Sequence, residues 1–144
     1  MRSALVAVSD LDRSVAFYTE LGPFEEIARE DAVAVVGGLS PASVALILRE
    51  TRSIRQIRQG PLSVGLRSIT FNVGSLDEMD RIESKLRDHH LFTSRRSVAD
   101  GASELLLGRD PDNLPLVFVC YGDGTEVGPD YYKAVTELVY SLDA

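Results

Sequence analysis

The fold of this chain is decided by Leu5-Val6-Ala7-Val8-Ser9-Asp10-Leu11-Asp12-Arg13-Ser14-Val15-Ala16-Phe17-Tyr18, an apolar run that stops at an Asp and continues with helical spacing. A second stretch follows about sixty residues later: Ser68-Ile69-Thr70-Phe71-Asn72-Val73-Gly74-Ser75-Leu76-Asp77-Glu78-Met79. Both have the order of strand, Ser or Asp helix cap, and acidic first turn. An internal repeat of this size indicates one β-α-β-β-β unit used twice, with the function expected in the space between the copies.

The composition predicts one ordinary globular domain. The chain has 144 residues, of which 44% are apolar and 26% charged, and no segment approaches the roughly twenty apolar residues of a membrane span. The apolar run in Met1 to Val8 is too short for a signal peptide, so we expect a cytoplasmic location. The single Cys120 excludes an internal disulfide and a cysteine-cluster metal site.

The net charge narrows the classes of partner. A formal charge of -7 argues against nucleic acid, whose phosphates need a basic surface. The same charge is compatible with a cationic small ligand, although an acidic surface commonly serves solubility alone.

The repeat divides the chain into four segments. They are module one at 1–50, a linker at 51–62, module two at 63–122 and a tail at 123–144. Each module is expected to contain a strand, a helix and three further strands. The tail opens with Pro129 and carries an apolar stripe, so it predicts an additional amphipathic helix.

Two motifs carry a resemblance to a known family. Val8-Ser9-Asp10-Leu11-Asp12-Arg13-Ser14-Val15-Ala16-Phe17-Tyr18 with Leu21-Gly22, followed by Arg109-Asp110-Pro111-Asp112-Asn113-Leu114-Pro115, resembles the vicinal oxygen chelate superfamily. This superfamily includes glyoxalase I, extradiol dioxygenases, fosfomycin-resistance enzymes and bleomycin-resistance binding proteins. The resemblance implies an α+β fold in which two βαβββ modules form a half-open cup of mixed β-sheet, commonly completed in a homodimer.

The resemblance also implies where a metal would be held. Catalytic members of the superfamily bind a divalent cation with a His on the first strand of each module and a carboxylate or amide on the last. Matching strand by strand places these positions on Ser3, near Ile47 within two residues, on Ser68 and on Val117. None of these is His, Asp, Glu or Gln, and a serine hydroxyl is a poor ligand for such metals. The sequence therefore predicts no metal site and no cofactor.

Other residues could still bind a ligand in the cup. Strand alternation puts Ser68, Thr70 and Asn72 on the inward face, where they either hydrogen-bond a ligand or bind one another or water. Ser3 and Leu5 would form an apolar wall on the other side. Ile47 and Val117 complete the predicted ligand-binding set.

Glu104 is the candidate catalytic residue. It lies in a strand otherwise composed of leucines. If its carboxyl points into the cup, desolvation would raise its pKa and suit it to general base catalysis. The alternative is an outward-pointing residue at the start of the strand.

Three functions remain open at this stage. The first is a metal-free protein that encloses an aromatic or amphipathic small molecule, as bleomycin-resistance proteins do. The second is a metal-independent lyase-like or isomerase-like enzyme that uses Glu104. The third is a metal-dependent glyoxalase or dioxygenase-type enzyme whose ligands have been misaligned, so the sequence leaves open whether a reaction is catalysed. A structural role that uses the tail helix as an interaction surface is also compatible with the sequence.

Overall fold

The chain folds as two βαβββ units, which confirms the predicted α+β class and the internal repeat. A computed structural model describes residues 3–22, 24–38, 45–51, 68–98, 103–121 and 137. The two units comprise Met1–Arg58 and Gln59–Ala144. Apart from Thr51 and Glu137, the predicted linker and tail lie outside the described residues, and Glu137 itself is helical and exposed. No helix within the described ranges is long and apolar enough to cross a membrane.

The first unit is a four-stranded sheet with one helix. Its strands have the order β1-β4-β3-β2, in which β1 runs parallel to β4 and the other pairs are antiparallel. The elements are β1 (Ser3–Val8), α1 (Leu11–Leu21), β2 (Glu25–Glu30), β3 (Val33–Gly37) and β4 (Ala45–Glu50).

Helix α1 begins and ends where the sequence predicts. The carboxylate of Asp10 accepts a hydrogen bond from the backbone N–H of Arg13 at 2.9 Å, which satisfies one of the free N–H groups of the first turn. The helix ends at Gly22. Its apolar side chains form one buried stripe against β3 and β4, namely Leu11, Val15, Phe17, Tyr18 and Leu21.

The second unit repeats this arrangement. Its strands have the order β5-β8-β7-β6, with β5 parallel to β8. Ser75 caps α2 by accepting from the backbone N–H of Glu78 at 3.2 Å. The elements are β5 (Ile69–Asn72), α2 (Leu76–Asp88), β6 (Phe92–Val98), β7 (Ser103–Arg109) and β8 (Pro115–Tyr121).

Each sheet has a helix side, which its own helix covers, and a far face, which points the other way. Along β1, Val6 and Val8 point to the helix side and are 6% and 1% exposed, whereas Leu5 on the far face is 62% exposed. In the second unit, Gly108 marks the helix side, because a Cβ added there would lie 2.7 Å from a methyl carbon of Leu86 in α2. Alternation therefore assigns strand residues to one face or the other, except at the register shifts between Glu26 and Ala28 in β2 and between Phe92 and Ser94 in β6.

The Asp110 turn orders the connection between β7 and β8. Asp110 is fully buried, and its Oδ1 accepts from the backbone N–H of Asp112 at 2.9 Å and of Leu114 at 2.8 Å. Asn113 adopts a positive φ of 72°, a conformation that Asn tolerates well. The second family-like motif is therefore structural in this chain, because it positions β8 in register with β7.

Replacing Asp110 by Ala should destabilise the second unit. The substitution leaves the backbone N–H groups of Asp112 and Leu114 without their acceptor, so we expect a loss of about 2 kcal/mol in the free energy of unfolding. The control Asp110→Asn keeps one acceptor oxygen and should lose less. Urea denaturation of the three proteins measures this, and equal stability of Asp110→Ala and the unmodified chain would contradict the assignment.

Candidate functional site

The far face of the first unit presents a row of apolar side chains across three strands. The strand register sets Leu5 of β1 beside Ile47 of β4, and Ile47 beside Val35 of β3. Ile47 and Val35 are half-buried, and Leu5 is among the most exposed large apolar side chains of the described chain. Ser3 shares this face and is exposed. The predicted apolar wall therefore exists as a surface, and its contact with a ligand remains a prediction.

A concavity adjoins this row. It has a volume of about 520 Å³ and is lined by residues of β2, of β3 and of the turn between them, together with Arg49 of β4. This volume falls within the range of about 300–1,000 Å³ that is typical of small-molecule sites. Arg49 follows Ile47 by two residues and so shares its face, although the sequence analysis did not single it out. Strand alternation was the signal that could have found it.

The far face of the second unit carries a row of polar side chains. Ser68, Thr70 and Asn72 lie along β5, with Ser68 half-buried and the other two exposed. Among the described residues, no hydrogen bond joins these three side chains to one another or to a further partner. The three side chains are thus not bonded to one another here, and their binding of a ligand or of water stays a prediction. Their donors and acceptors are directed away from α2.

Beside this polar row lies an apolar cluster on the same face. The register places Val117 next to Thr70 and Val119 next to Asn72. Both valines are fully buried with Leu105 and Leu107 of β7. The sequence analysis expects Val117 to contact a ligand, whereas its side chain is inaccessible to solvent in this structure. Val117 is therefore buried although it lies on the face opposite α2.

The architecture and the sequence together identify the family. Residues 2–118 match the model of the Glyoxalase/Bleomycin resistance protein/Dioxygenase superfamily. The chain belongs to this superfamily. The resemblance drawn from the two motifs is therefore confirmed.

Solved structures of the superfamily share this fold. The glyoxylase/bleomycin resistance protein/dioxygenase domain from Frankia sp. EAN1pec is 27% identical, with 86% of this chain and 92% of that chain covered and a TM-score of 0.70. A glyoxalase/bleomycin resistance protein/dioxygenase from Alicyclobacillus acidocaldarius is 20% identical, with coverages of 84% and 90% and a TM-score of 0.59. Lactoylglutathione lyase from Agrobacterium tumefaciens is 16% identical, with coverages of 83% and 92% and a TM-score of 0.60. The latter two likenesses concern the fold alone. A comparison with proteins of curated function gives no match.

The positions that hold a metal in catalytic members of the superfamily do not fit one here. Ser3, Ile47, Ser68 and Val117 all lie on the far faces, where the resemblance expects ligands. Shifting the alignment by two residues along β4 replaces Ile47 with Ala45 or Arg49, and a guanidinium repels a cation.

The remaining candidate ligands are equally unsuitable. No group of three or more His, Cys, Asp or Glu side chains within the described ranges could hold a metal ion. The two histidines, His89 and His90, are exposed at the end of α2, on the helix side of the second sheet. The donor set therefore disagrees with the metal chemistry of the superfamily's enzymes.

Glu104 lies on the helix side of its sheet, contrary to its predicted place in the cup. Arg95 donates through Nε to Glu104 Oε2 at 3.0 Å, and the Ser97 hydroxyl donates to Glu104 Oε1. Arg95 also bridges to Asp80 at 2.5 Å and to Glu83 at 3.0 Å, both on α2.

These contacts set the titration of Glu104. The Ser97 hydroxyl and then the Arg95 guanidinium hold the pKa of the Glu104 carboxyl below its ordinary value. The expected raised pKa is therefore wrong, and the general-base assignment fails with it. The carboxylate instead fastens β6 and β7 to α2 through Arg95.

Replacing Glu104 by Gln should lower stability in a pH-dependent way. The pKa of Glu104 in the folded protein lies below its ordinary value, so the carboxylate stabilises the fold at neutral pH, and this contribution disappears as the pH falls through the folded-state pKa. We expect Glu104→Gln to lose about 1 kcal/mol at pH 7 and much less near pH 3. Urea midpoints at both pH values measure this, with Glu25→Gln on β2 as the control. An equal loss at both pH values would contradict the ion-pair role.

Proposed function

We propose that this chain is a metal-independent small-molecule binding protein of the glyoxalase/bleomycin resistance type. Its ligand is aromatic or amphipathic. The observation that carries the proposal is the chemistry of the four matched metal positions, which are two serines, an isoleucine and a valine. A protein of this family without metal ligands still has apolar surface and hydrogen-bonding groups, which are sufficient for binding.

The first far face supports the apolar part of this proposal. Leu5 is 62% exposed, and with Ile47 and Val35 it forms a continuous apolar row beside the concavity of about 520 Å³. Covering such a row removes apolar surface from water, which contributes roughly 25 cal/mol per Å² buried. A flat aromatic or aliphatic group fits this surface better than a polar one does.

The second far face supports the polar part. The hydroxyls of Ser68 and Thr70 and the amide of Asn72 offer both donors and acceptors, and no hydrogen bond among the described residues engages them. A few such groups beside an apolar surface orient a ligand and provide specificity.

The enzyme alternatives receive less support. A metal-dependent reaction has no suitable ligand set among the described residues. The metal-independent route through Glu104 loses its base, because Arg95 and Ser97 engage that carboxylate on the helix side. We further propose one functional domain that acts as a cytoplasmic homodimer, as the resemblance implies, with neither nucleic acid nor membrane as a partner.

Metal loading tests whether the protein is metal-independent. After incubation with zinc, manganese or ferrous iron followed by desalting, elemental analysis should find far less than one metal per chain, because the matched positions offer no imidazole or carboxylate. Ser3→Ala with Ser68→Ala is the matched control. About one metal per chain, lost in that double variant, would instead establish a metal site at the usual place.

Native mass spectrometry of freshly purified protein tests whether the protein binds a small molecule without transforming it. We expect an organic mass retained on the folded protein and recovered chemically unchanged after incubation, because binding requires no reaction. The same spectrum reports whether the chain is a dimer. Recovery of an altered compound, dependent on the folded protein, would show that the chain is an enzyme and contradict a role in binding alone.

A further inference from the structure

Arg49 places a positive charge on the otherwise apolar part of the first far face. The register sets it between Ala7 of β1 and Val33 of β3, and it is exposed. It is two residues from Ile47 on the same strand, so their Cα atoms are separated by about 7 Å. Arg49 also lines the concavity of about 520 Å³. A charged group and an apolar row therefore share one surface of molecular size.

The guanidinium of Arg49 is not engaged by the described part of the protein. Every other described arginine takes part in a hydrogen bond, an ion pair or a comparable interaction, as Arg29 does with Glu26 and Arg95 with Asp80. Arg49 has none with any described residue. Carboxylates are abundant in a chain with a net charge of -7. Arg49 nevertheless forms no ion pair with a carboxylate in the described ranges.

None of the carboxylates nearest in the sheet forms an ion pair with Arg49. Glu50 points to the helix side and accepts from the backbone N–H of Leu11 at 3.1 Å. Glu30 lies opposite Val33 on the adjacent strand, and Asp31 lies in the following turn with a φ of 47°. Both line the concavity, but neither forms an ion pair with Arg49. They disfavour a ligand with two negative charges, because each would repel the second charge.

We propose that Arg49 selects the ligand, and that the ligand class is an amphipathic carboxylate. This inference rests on the proposed binding function. The two oxygens of a carboxylate match the paired N–H groups of a guanidinium. The group attached to the carboxylate then lies over Leu5, Ile47 and Val35, which begin about 7 Å away along the strand. A bicyclic aromatic acid has this length.

Three probes of one shape test the charge requirement by isothermal titration calorimetry. They are 2-naphthoate, the uncharged 2-naphthamide and the dianionic 2-naphthyl phosphate. We expect the unmodified protein to bind 2-naphthoate roughly tenfold or more tightly than 2-naphthamide. Arg49→Gln should remove this preference and leave the affinity for 2-naphthamide unchanged. Arg13→Gln, which removes the same charge from α1, should retain the preference.

Different results would contradict the role of Arg49 and the proposed binding function. Equal affinity for the acid and the amide, unchanged in Arg49→Gln, would overturn the role of Arg49 while leaving a binding protein. Tighter binding of the phosphate ester than of 2-naphthoate would overturn the carboxylate class. Failure of all three probes to bind at millimolar concentration would also overturn the proposal, whereas an uncharged organic molecule retained in native mass spectrometry would still support the proposed function.

Discussion

A four-stranded sheet has two faces, and one helix can cover only one of them. This constraint organises each unit of the protein. Residues such as Val6, Val8 and Leu48 are buried because they point to the helix, whereas Leu5 and Arg49 on the same strands point away from it. Because side chains alternate along a strand, fixing the helix side also fixes the far face. The far faces are therefore a direct consequence of how the core forms, and their chemistry is where members of one family can differ.

Much of this architecture is predictable because its signals are local. Asp10 and Ser75 each cap a helix through a side chain that reaches only three residues along the chain, and both caps are visible in the sequence. The placement of Ser68, Thr70 and Asn72 on one face follows from the same local rule of alternation. Each helix cap marks the end of the strand before it, and alternation then divides the residues of that strand between the two faces of the sheet.

The residues whose surroundings the sequence does not reveal depend on contacts between paired strands. Glu104 lies beside a run of leucines in which alternation is invisible, and its position is evident only from its contact with Arg95 on the adjacent strand. Val117 is buried together with Leu105 and Leu107 of the paired strand β7, which its own neighbours in sequence do not reveal. Pairing partners, and not residue types, determined these positions.

The net charge of the whole chain differs from the charge close to Arg49 on the first far face. A net charge of -7 is compatible with a cationic ligand, but in solution of physiological ionic strength exposed charges act over only about 8 Å. A ligand on the first far face is therefore governed mainly by Arg49 and the carboxylates within that distance, not by the charge of the whole chain. Arg49 is also exposed and separate from the core side chains beneath α1, so its charge can change with little effect on folding. The stability of the sheet and the charge of its far face are physically separable, so one fold can retain its core while the charge on that face changes.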